Sequence, residues 1–177
     1  VILPVRDAEK TLAMAIESIL GQTERNLELL VVDDASTDSS PRILREFAEF
    51  DGRIRVLSTV NLGIVEALNL GLTEARAPYL ARMDADDVSL PERLSLQCDF
   101  LDSHPKVGLV SCRVEHWSED GEVRTGYETY VEWTNQVLDD ADLRLRRFVE
   151  SPFAHPSVVF RKSLAGTYGA YRSGLFP

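Results

Sequence analysis

The first hundred residues of the chain alternate between short apolar runs and stretches whose apolar residues recur at helical spacing. Alternation of this kind predicts repeated β-α-β units, in which helices connect parallel strands. We therefore expect an α/β fold with a mostly parallel, Rossmann-like sheet flanked by helices. The strands predicted in this part of the chain cover residues 1–3, 27–32, 54–57, 79–83 and 107–112.

Residues that start or stop regular structure lie between these runs. Pro4 is predicted to stop the first strand, and Asp7 is predicted to cap the first helix. Ser40 followed by Pro41 is a favourable start for the second helix. Pro91 is predicted to open the helix before the fifth strand.

The pattern changes from residue 114 onward. Glu119-Asp120-Gly121 predicts a turn between two extended stretches, as in a hairpin-like excursion. Residues 133–148 predict one polar helix, and residues 157–160 predict another strand. We expect an α/β half over residues 1–113 and a smaller half over 114–177. Both belong to one structural domain, because 177 residues form one sizeable core but not two enzyme domains.

The charge balance and the cysteines limit the function classes. The chain has 29 acidic and 19 basic residues and a net charge of −10. Such a chain lacks the broad basic surface that displaces phosphate counterions, which excludes nucleic acid as a partner. Cys98 and Cys112 are too few for a disulfide framework and indicate a reduced, cytoplasmic protein. No apolar run approaches the roughly 20 residues of a membrane span.

Three polar clusters directly follow the carboxyl ends of predicted strands, where an open α/β sheet places its ligand crevice. They are Pro4-Val5-Arg6-Asp7, Asp33-Asp34-Ala35-Ser36-Thr37-Asp38 and Asp84-Ala85-Asp86-Asp87. Each cluster alone is compatible with ordinary turn and cap residues. Their joint occurrence favours a binding site, because parallel strands bring all three to one edge of the sheet.

The third cluster has the most specific chemistry. Three carboxylates within four residues repel one another, and a divalent cation removes that cost. Asp84 and Asp86, two residues apart in an extended segment, point to the same side. Because Mg²⁺ favours one or two protein carboxylates completed by water and substrate phosphates, the spacing predicts a metal–diphosphate site. A solvated acidic loop that caps the next helix is the alternative.

Further motifs occur in order between and after these clusters. They are Ser18-Ile19-Leu20-Gly21-Gln22-Thr23, Asn61-Leu62-Gly63, Pro91-Glu92-Arg93-Leu94 and His155-Pro156-Ser157-Val158-Val159-Phe160-Arg161. In order and spacing the chain resembles the family 2 glycosyltransferases over essentially its whole length. The resemblance implies a GT-A fold and metal-assisted, inverting transfer of a sugar from a nucleotide sugar, with a UDP-sugar favoured. The acceptor would be a saccharide or a lipid-linked saccharide, as in polysaccharide or cell-wall assembly.

The resemblance also implies roles for particular residues. Residues 1–113 would form the nucleotide-sugar half, and 114–177 would begin the acceptor-side half. Asp86 and Asp84 would hold Mn²⁺ or Mg²⁺, and Asp34 would accept a hydrogen bond from a uracil ring N–H. The nucleotide-binding set would comprise Pro4, Val5, Arg6, Asp7, Asp33, Asp34, Asn61, Gly63, Asp84 and Ala85.

The chain departs from the family pattern at several positions. Arg6 stands where an aromatic residue usually stacks on the base, and a guanidinium plane can also stack. Asp7 replaces asparagine, Ala35 replaces glycine, and Leu68 stands where many members carry arginine.

The two ends of the chain give a further expectation. The chain starts inside an apolar run without methionine and stops in a loop-like stretch, so we expect a piece of a longer protein. The resemblance implies that the catalytic base, an acidic residue, directly follows a stretch like Gly174-Leu175-Phe176-Pro177. Peripheral association with the inner face of a membrane would then depend on segments outside this chain.

Other interpretations stay open from the sequence alone. His155 is either a structural residue before a strand or an acceptor-side contact. A sugar-phosphate nucleotidyltransferase would need a glycine-rich loop, which the stretch after Leu3 lacks. A phosphoacceptor signalling domain would use the Asp33-Asp34 pair, but no lysine stands at a late strand end.

Overall fold

The structure, a computed structural model, describes residues 1–117 and 125–172, apart from the side chain of Thr125. The strands are β1 (Ile2–Val5), β2 (Leu29–Asp33), β3 (Ile54–Ser58), β4 (Tyr79–Ala81), β5 (Leu109–Ser111) and β6 (Val158–Arg161). The helices are α1 (Leu12–Leu20), α2 (Ser40–Phe50), α3 (Ile64–Glu74), α4 (Arg93–Ser103), α5 (Thr125–Thr134), α6 (Asp140–Arg146) and α7 (Ser163–Tyr168). A 3₁₀ turn, His155–Ser157, precedes β6.

The strands form a mostly parallel sheet, as predicted. β1, β2 and β3 pair in parallel in the order β1-β2-β3, and β6 lies between β4 and β5, antiparallel to both. A parallel bridge between Ile2 and Arg82 joins the two groups, with the Met83 amide donating to the Ile2 carbonyl at 3.1 Å. β6 therefore runs against the other strands, and the turn before it lies at the edge where β4 and β5 end.

Helices cover both faces of the sheet. On one face α1 and α2 pack together over the sheet, with α2 against β3, and Leu3, Ile16 and Leu44 are almost fully buried. On the other face α3 packs on Ile2 and Leu30. Their close approach requires glycine in α3, because a Cβ at Gly71 would lie 2.5 Å from the Ile2 side chain. The tight packing fixes the strand ends that carry the predicted site.

The end of the first strand differs from the prediction, because β1 continues through Pro4 to Val5. The carbonyl of Val1 accepts from Leu30 in β2 and that of Val5 from Asp34 directly after β2, whereas that of Ile2 accepts from Met83 on the opposite side. Pro4 therefore faces the β4 side, beyond the last bridge. Its missing N–H costs no sheet hydrogen bond there.

The predicted cap at Asp7 is wrong. α1 begins at Leu12 after Thr11, and Asp7 has a left-handed backbone with φ of +48°. Its carboxylate accepts from the Thr37 amide at 2.7 Å and so binds the next loop. The start of α2 at Ser40 is confirmed, whereas α4 begins at Arg93, two residues after Pro91.

The single polar helix predicted over 133–148 is two helices. α5 ends at Thr134, and α6 starts after Asp139, whose carboxylate accepts from the Asp142 amide at 2.9 Å. The predicted turn at residues 119–121 lies outside the described residues, and α5 follows in place of a second extended stretch. Among the residues described, no helix is long and apolar enough to span a bilayer.

Candidate functional site

The loops after β1 and β2 are bound to each other at the carboxyl edge of the sheet. The Asp7 amide donates to Ser36 Oγ at 3.0 Å, and the Ala8 amide donates to Ser40 Oγ at 2.9 Å. The carboxylate of Asp33 stays within its own loop, where it accepts from the Ser36 amide at 3.2 Å. The first two clusters predicted from sequence therefore form one connected unit.

Asp34 connects this unit to the loop after β3. The side chain is buried, and its Oδ1 accepts from the Leu62 amide at 2.6 Å and from the Thr59 hydroxyl. Its Oδ2 accepts from the Gly63 amide at 2.7 Å. Asp34 thus anchors the loop that contains Asn61, whose side chain in turn accepts from Arg6.

The hydrogen bonds to Asp34 keep it ionised. Burial acts to raise the pKa of this carboxyl, but the hydrogen bonds from Thr59, Leu62 and Gly63 outweigh it. The pKa of Asp34 is therefore below its usual value, and the guanidinium of Arg6 contributes in the same direction. At neutral pH the loop after β3 is therefore held by the ionised carboxylate of Asp34.

Left-handed backbone occurs after each of the first three strands. Asp7, Ala35 and Asn61 have φ of +48°, +59° and +58°, and Gly63 follows with φ of +87°. Asparagine and aspartate tolerate this region because their side chains bond locally, whereas alanine does not. Ala35 therefore carries strain at the position where the resembled family has glycine.

Replacing Ala35 by glycine is expected to stabilise the protein by about 1 kcal/mol, because glycine adopts positive φ without the Cβ clash. Urea unfolding of both proteins measures the difference. The matched control is Ala48→Gly within α2, which is expected to destabilise by about 1 kcal/mol. A loss of stability in Ala35→Gly would contradict the strain at this turn.

The third cluster follows β4 and contains two kinds of carboxylate. Asp84 is half-buried, and its Oδ2 accepts from Arg82 Nη1 at 2.7 Å. Asp86 is exposed, and no side chain in the described part of the chain donates a hydrogen bond to its carboxylate. Ala85 lies between them and packs against the apolar core. Asp86 and the second oxygen of Asp84 are thus available to a ligand.

The pKa of Asp87 reflects the carboxylates that surround it in this cluster. Burial and the nearby carboxylates of Asp84 and Asp86 raise its pKa to about 6. No three His, Cys, Asp or Glu side chains among residues 1–117 and 125–172 are grouped closely enough to hold a metal ion by themselves. Asp84 and Asp86 alone offer two carboxylates, which is the number that Mg²⁺ takes from a protein when water and ligand phosphates complete its shell.

The turn before β6 brings His155 to the same edge. Burial lowers the pKa of the His155 imidazole, Arg82 acts in the same direction, and Asp84 opposes both. Tyr171 also lies near Arg82 and Asp84, and burial raises the pKa of its hydroxyl. The Tyr171 backbone exchanges two hydrogen bonds with the Asn69 side chain, at 2.9 and 3.0 Å.

Four members of the predicted nucleotide-binding set are buried, namely Pro4, Val5, Asp33 and Asp34. Pro4 and Val5 are buried in β1, and the side chain of Val5 belongs to the core under α1. Their side chains cannot line an open pocket in this conformation. By contrast, Arg6, Asp7 and Asn61 are exposed at the strand ends.

Two cavities of the protein lie away from the predicted site. A cavity of about 690 Å³ lies beside β5 and α6, and one of about 1000 Å³ lies at the opposite edge of the sheet. Neither is lined by a predicted site residue.

Sequence reasoning missed Arg82, Thr59 and the Asn69–Tyr171 pair. A signal existed for Arg82, because a charged residue inside the apolar strand run 79–83 needs a buried partner. Thr59 and Tyr171 carried no local signal, since their contacts are to residues 25 or more positions away.

Comparisons with known proteins agree with this geometry. The sequence profile described as glycosyl transferase family 2 matches residues 1–169. The chain is 34% identical over 175 residues to the putative glycosyltransferase EpsE of Bacillus subtilis, covering 98% of this chain and 59% of that protein. It is 31% identical over 172 residues to the amylovoran biosynthesis glycosyltransferase AmsE of Erwinia amylovora, covering 97% of this chain and 62% of that protein.

Solved structures show the same fold. The mannosyltransferase PcManGT of Pyrobaculum calidifontis, in complex with GDP-Man and Mn²⁺, matches with a TM-score of 0.69 at 23% identity. That match covers 96% of this chain and 46% of the other. S. aureus TarS 1-349 in complex with UDP matches with a TM-score of 0.72 at 20% identity, covering 96% and 48%.

The chain spans 51% to 62% of the length of the first curated relatives that it matches. One assignment accounts for the sheet order, the connected loops at the carboxyl edge and the profile match over nearly the whole chain. The chain belongs to glycosyl transferase family 2 and has the GT-A fold.

Proposed function

We propose that this chain transfers a sugar, with inversion and with the help of a divalent metal, from a nucleotide-sugar donor to a saccharide or lipid-linked acceptor. A UDP-sugar is the favoured donor. One observation supports the proposal above the others: the loop that Asp34 anchors and the Asp84–Asp86 segment lie at the same carboxyl edge of one sheet. Family membership supports the sugar-transfer chemistry.

The nucleoside would bind across the loops after β1, β2 and β3. Arg6 and Asn61 are exposed and bonded to each other, so a base can stack on the guanidinium plane that Asn61 holds. Main-chain groups of residues 4–7 and 61–63 remain candidates for contacts with the base and ribose. Asp33 and Asp34 would fix the shape of this pocket, because their carboxylates accept hydrogen bonds from main-chain amides of the loops that form it.

The divalent ion would be Mn²⁺ or Mg²⁺, held by Asp86 and by the Asp84 oxygen that does not accept from Arg82. When bound, such an ion acts as a Lewis acid and absorbs negative charge that develops on the leaving diphosphate. Asp84 keeps its orientation through the hydrogen bond with Arg82. The diphosphate of a bound donor would then lie near Asp84 and Asp86.

Inverting transfer needs an acceptor hydroxyl on the face of the sugar opposite the leaving group. The turn before β6 places His155 beside Asp84, where it would contact the acceptor or a donor phosphate. A carboxylate base must lie within hydrogen-bond reach of the acceptor hydroxyl. We assign residues 114–177 to the start of the acceptor side, and we assign the base to none of the described residues.

Calorimetric titration of UDP and GDP into the protein that contains this chain tests the proposal. With Mn²⁺ at 1 mM we expect one of these nucleotides to bind with a Kd on the order of 10 μM, as enzyme–substrate affinities in general suggest. Chelation of the metal should weaken that binding at least tenfold. Equal affinity with and without metal would refute the metal site, and no binding of either nucleotide would refute the donor site.

A further inference from the structure

Arg82 is a buried cation beside the third acidic cluster, and the proposed function so far gives it only the orientation of Asp84. The residue is 7% exposed, and its Nη1 donates to Asp84 Oδ2 at 2.7 Å. Its Nε is buried without a hydrogen-bond partner among the described residues. A buried guanidinium that leaves one donor unsatisfied costs stability. Stability of the fold therefore does not explain why an arginine stands here.

The main chain holds Arg82 in place from two sides. Its amide donates to the Val158 carbonyl at 3.1 Å, and its carbonyl accepts from Arg93 Nη2 at 3.0 Å. Arg82 also pairs with Ile2 of β1 in a parallel bridge. The main chain of Arg82 is thus fixed at the strand end, and burial and the hydrogen bond to Asp84 restrain its guanidinium.

The charges around Arg82 act differently on two kinds of ligand. Asp84, Asp86 and Asp87 attract a divalent cation, whereas the Arg82 guanidinium repels it through a partly buried, poorly screened medium. A divalent cation that carries a nucleoside diphosphate brings phosphate oxygens, which Arg82 attracts. The same side chain therefore contributes with opposite sign to the binding of the bare ion and of the ion–diphosphate complex.

We propose that Arg82 is a positioning residue that couples metal binding to donor binding: it weakens binding of the bare divalent ion and strengthens binding of that ion together with a nucleoside diphosphate. The inference rests on the proposed function, since it needs a metal–diphosphate ligand at Asp84 and Asp86. Because coupling between two ligands is reciprocal, Arg82 would also make nucleotide affinity more dependent on metal.

The test measures two affinities in the wild type and in Arg82→Met. Loss of the free Mn²⁺ signal in electron paramagnetic resonance gives the affinity for Mn²⁺ alone, and calorimetry at saturating Mn²⁺ gives the affinity for UDP or GDP. Arg82→Met should bind Mn²⁺ alone about three- to tenfold more tightly and the nucleotide about three- to tenfold more weakly. Arg82→Lys, which keeps the charge, should stay within about twofold of wild type for Mn²⁺ alone.

Arg42→Met, at an exposed arginine on α2, is the charge-matched control and should change neither affinity. If Arg82→Met does not fold, Arg82→Gln replaces it, because the glutamine amide can still donate to Asp84. Affinities that move in the same direction, or an unchanged affinity for Mn²⁺ alone, would overturn the inference and leave the proposed function standing. A wild type that binds neither nucleotide would instead refute the proposed function.

Discussion

Replacing Asp86 by alanine is expected to weaken metal-dependent nucleotide binding by about 100-fold or more, which corresponds to about 2.7 kcal/mol. Asp86 is exposed and receives no side-chain hydrogen bond from the described residues, so it is the carboxylate most available to a divalent ion. Its removal leaves Asp84 alone to hold the metal, and Asp84 already shares its charge with Arg82. Calorimetric titration of UDP or GDP at 1 mM Mn²⁺ measures the loss.

The stability of the same variant separates a binding role from a structural one. Asp86→Ala should unfold in urea within about 0.5 kcal/mol of the wild type, because it breaks no internal hydrogen bond and relieves repulsion of Asp84 and Asp87. Asp99→Ala, at an exposed position of α4, is the matched control and should leave both nucleotide affinity and stability unchanged. Nucleotide binding that survives in Asp86→Ala would remove this residue from the metal site.

Much of the fold follows from local patterns in the sequence. Strand and helix periodicity located the first five strands and the helices between them, because the strands are buried or half-buried apolar runs and the helices have an apolar face. The structure of the region after residue 114 was harder to predict from local patterns. The break between α5 and α6 depends on the cap at Asp139, whose signal is one of several acidic residues in a polar stretch.

In the candidate site, too, the positions of the residues were predictable and their contacts were not. The strand-end positions of Asp34 and Asp84 were predictable, since parallel strands end at one edge. The hydrogen-bond partners of Asp34 were not predictable, because Thr59 and Gly63 lie in the loop after β3, 25 or more residues away. Sequence implied that Asp34 contacts the base directly. The structure shows that both of its oxygens already accept hydrogen bonds from the loop after β3.

Replacing Asp34 by asparagine is expected to destabilise the protein by about 2–4 kcal/mol. Oδ1 of asparagine can still accept from Thr59 and Leu62, but its NH₂ group would face the Gly63 amide, donor against donor. Loss of a charge-assisted hydrogen bond costs about 1.5–3 kcal/mol, and a buried unsatisfied amide adds to that. Urea unfolding measures the loss, with Asp99→Asn as the exposed control.

The pH dependence of the wild type distinguishes an anchoring charge from a packing effect at Asp34. Because hydrogen bonds lower the pKa of Asp34 in the folded state, its charge stabilises the fold above the unfolded value of 3.8. That contribution is lost as the pH falls through the lower folded pKa. The stability gap between wild type and Asp34→Asn should therefore be constant from pH 5 to 7 and shrink below pH 3.8. A gap that stays constant to pH 2 would mean that Asp34 anchors the loop by shape and not by its charge.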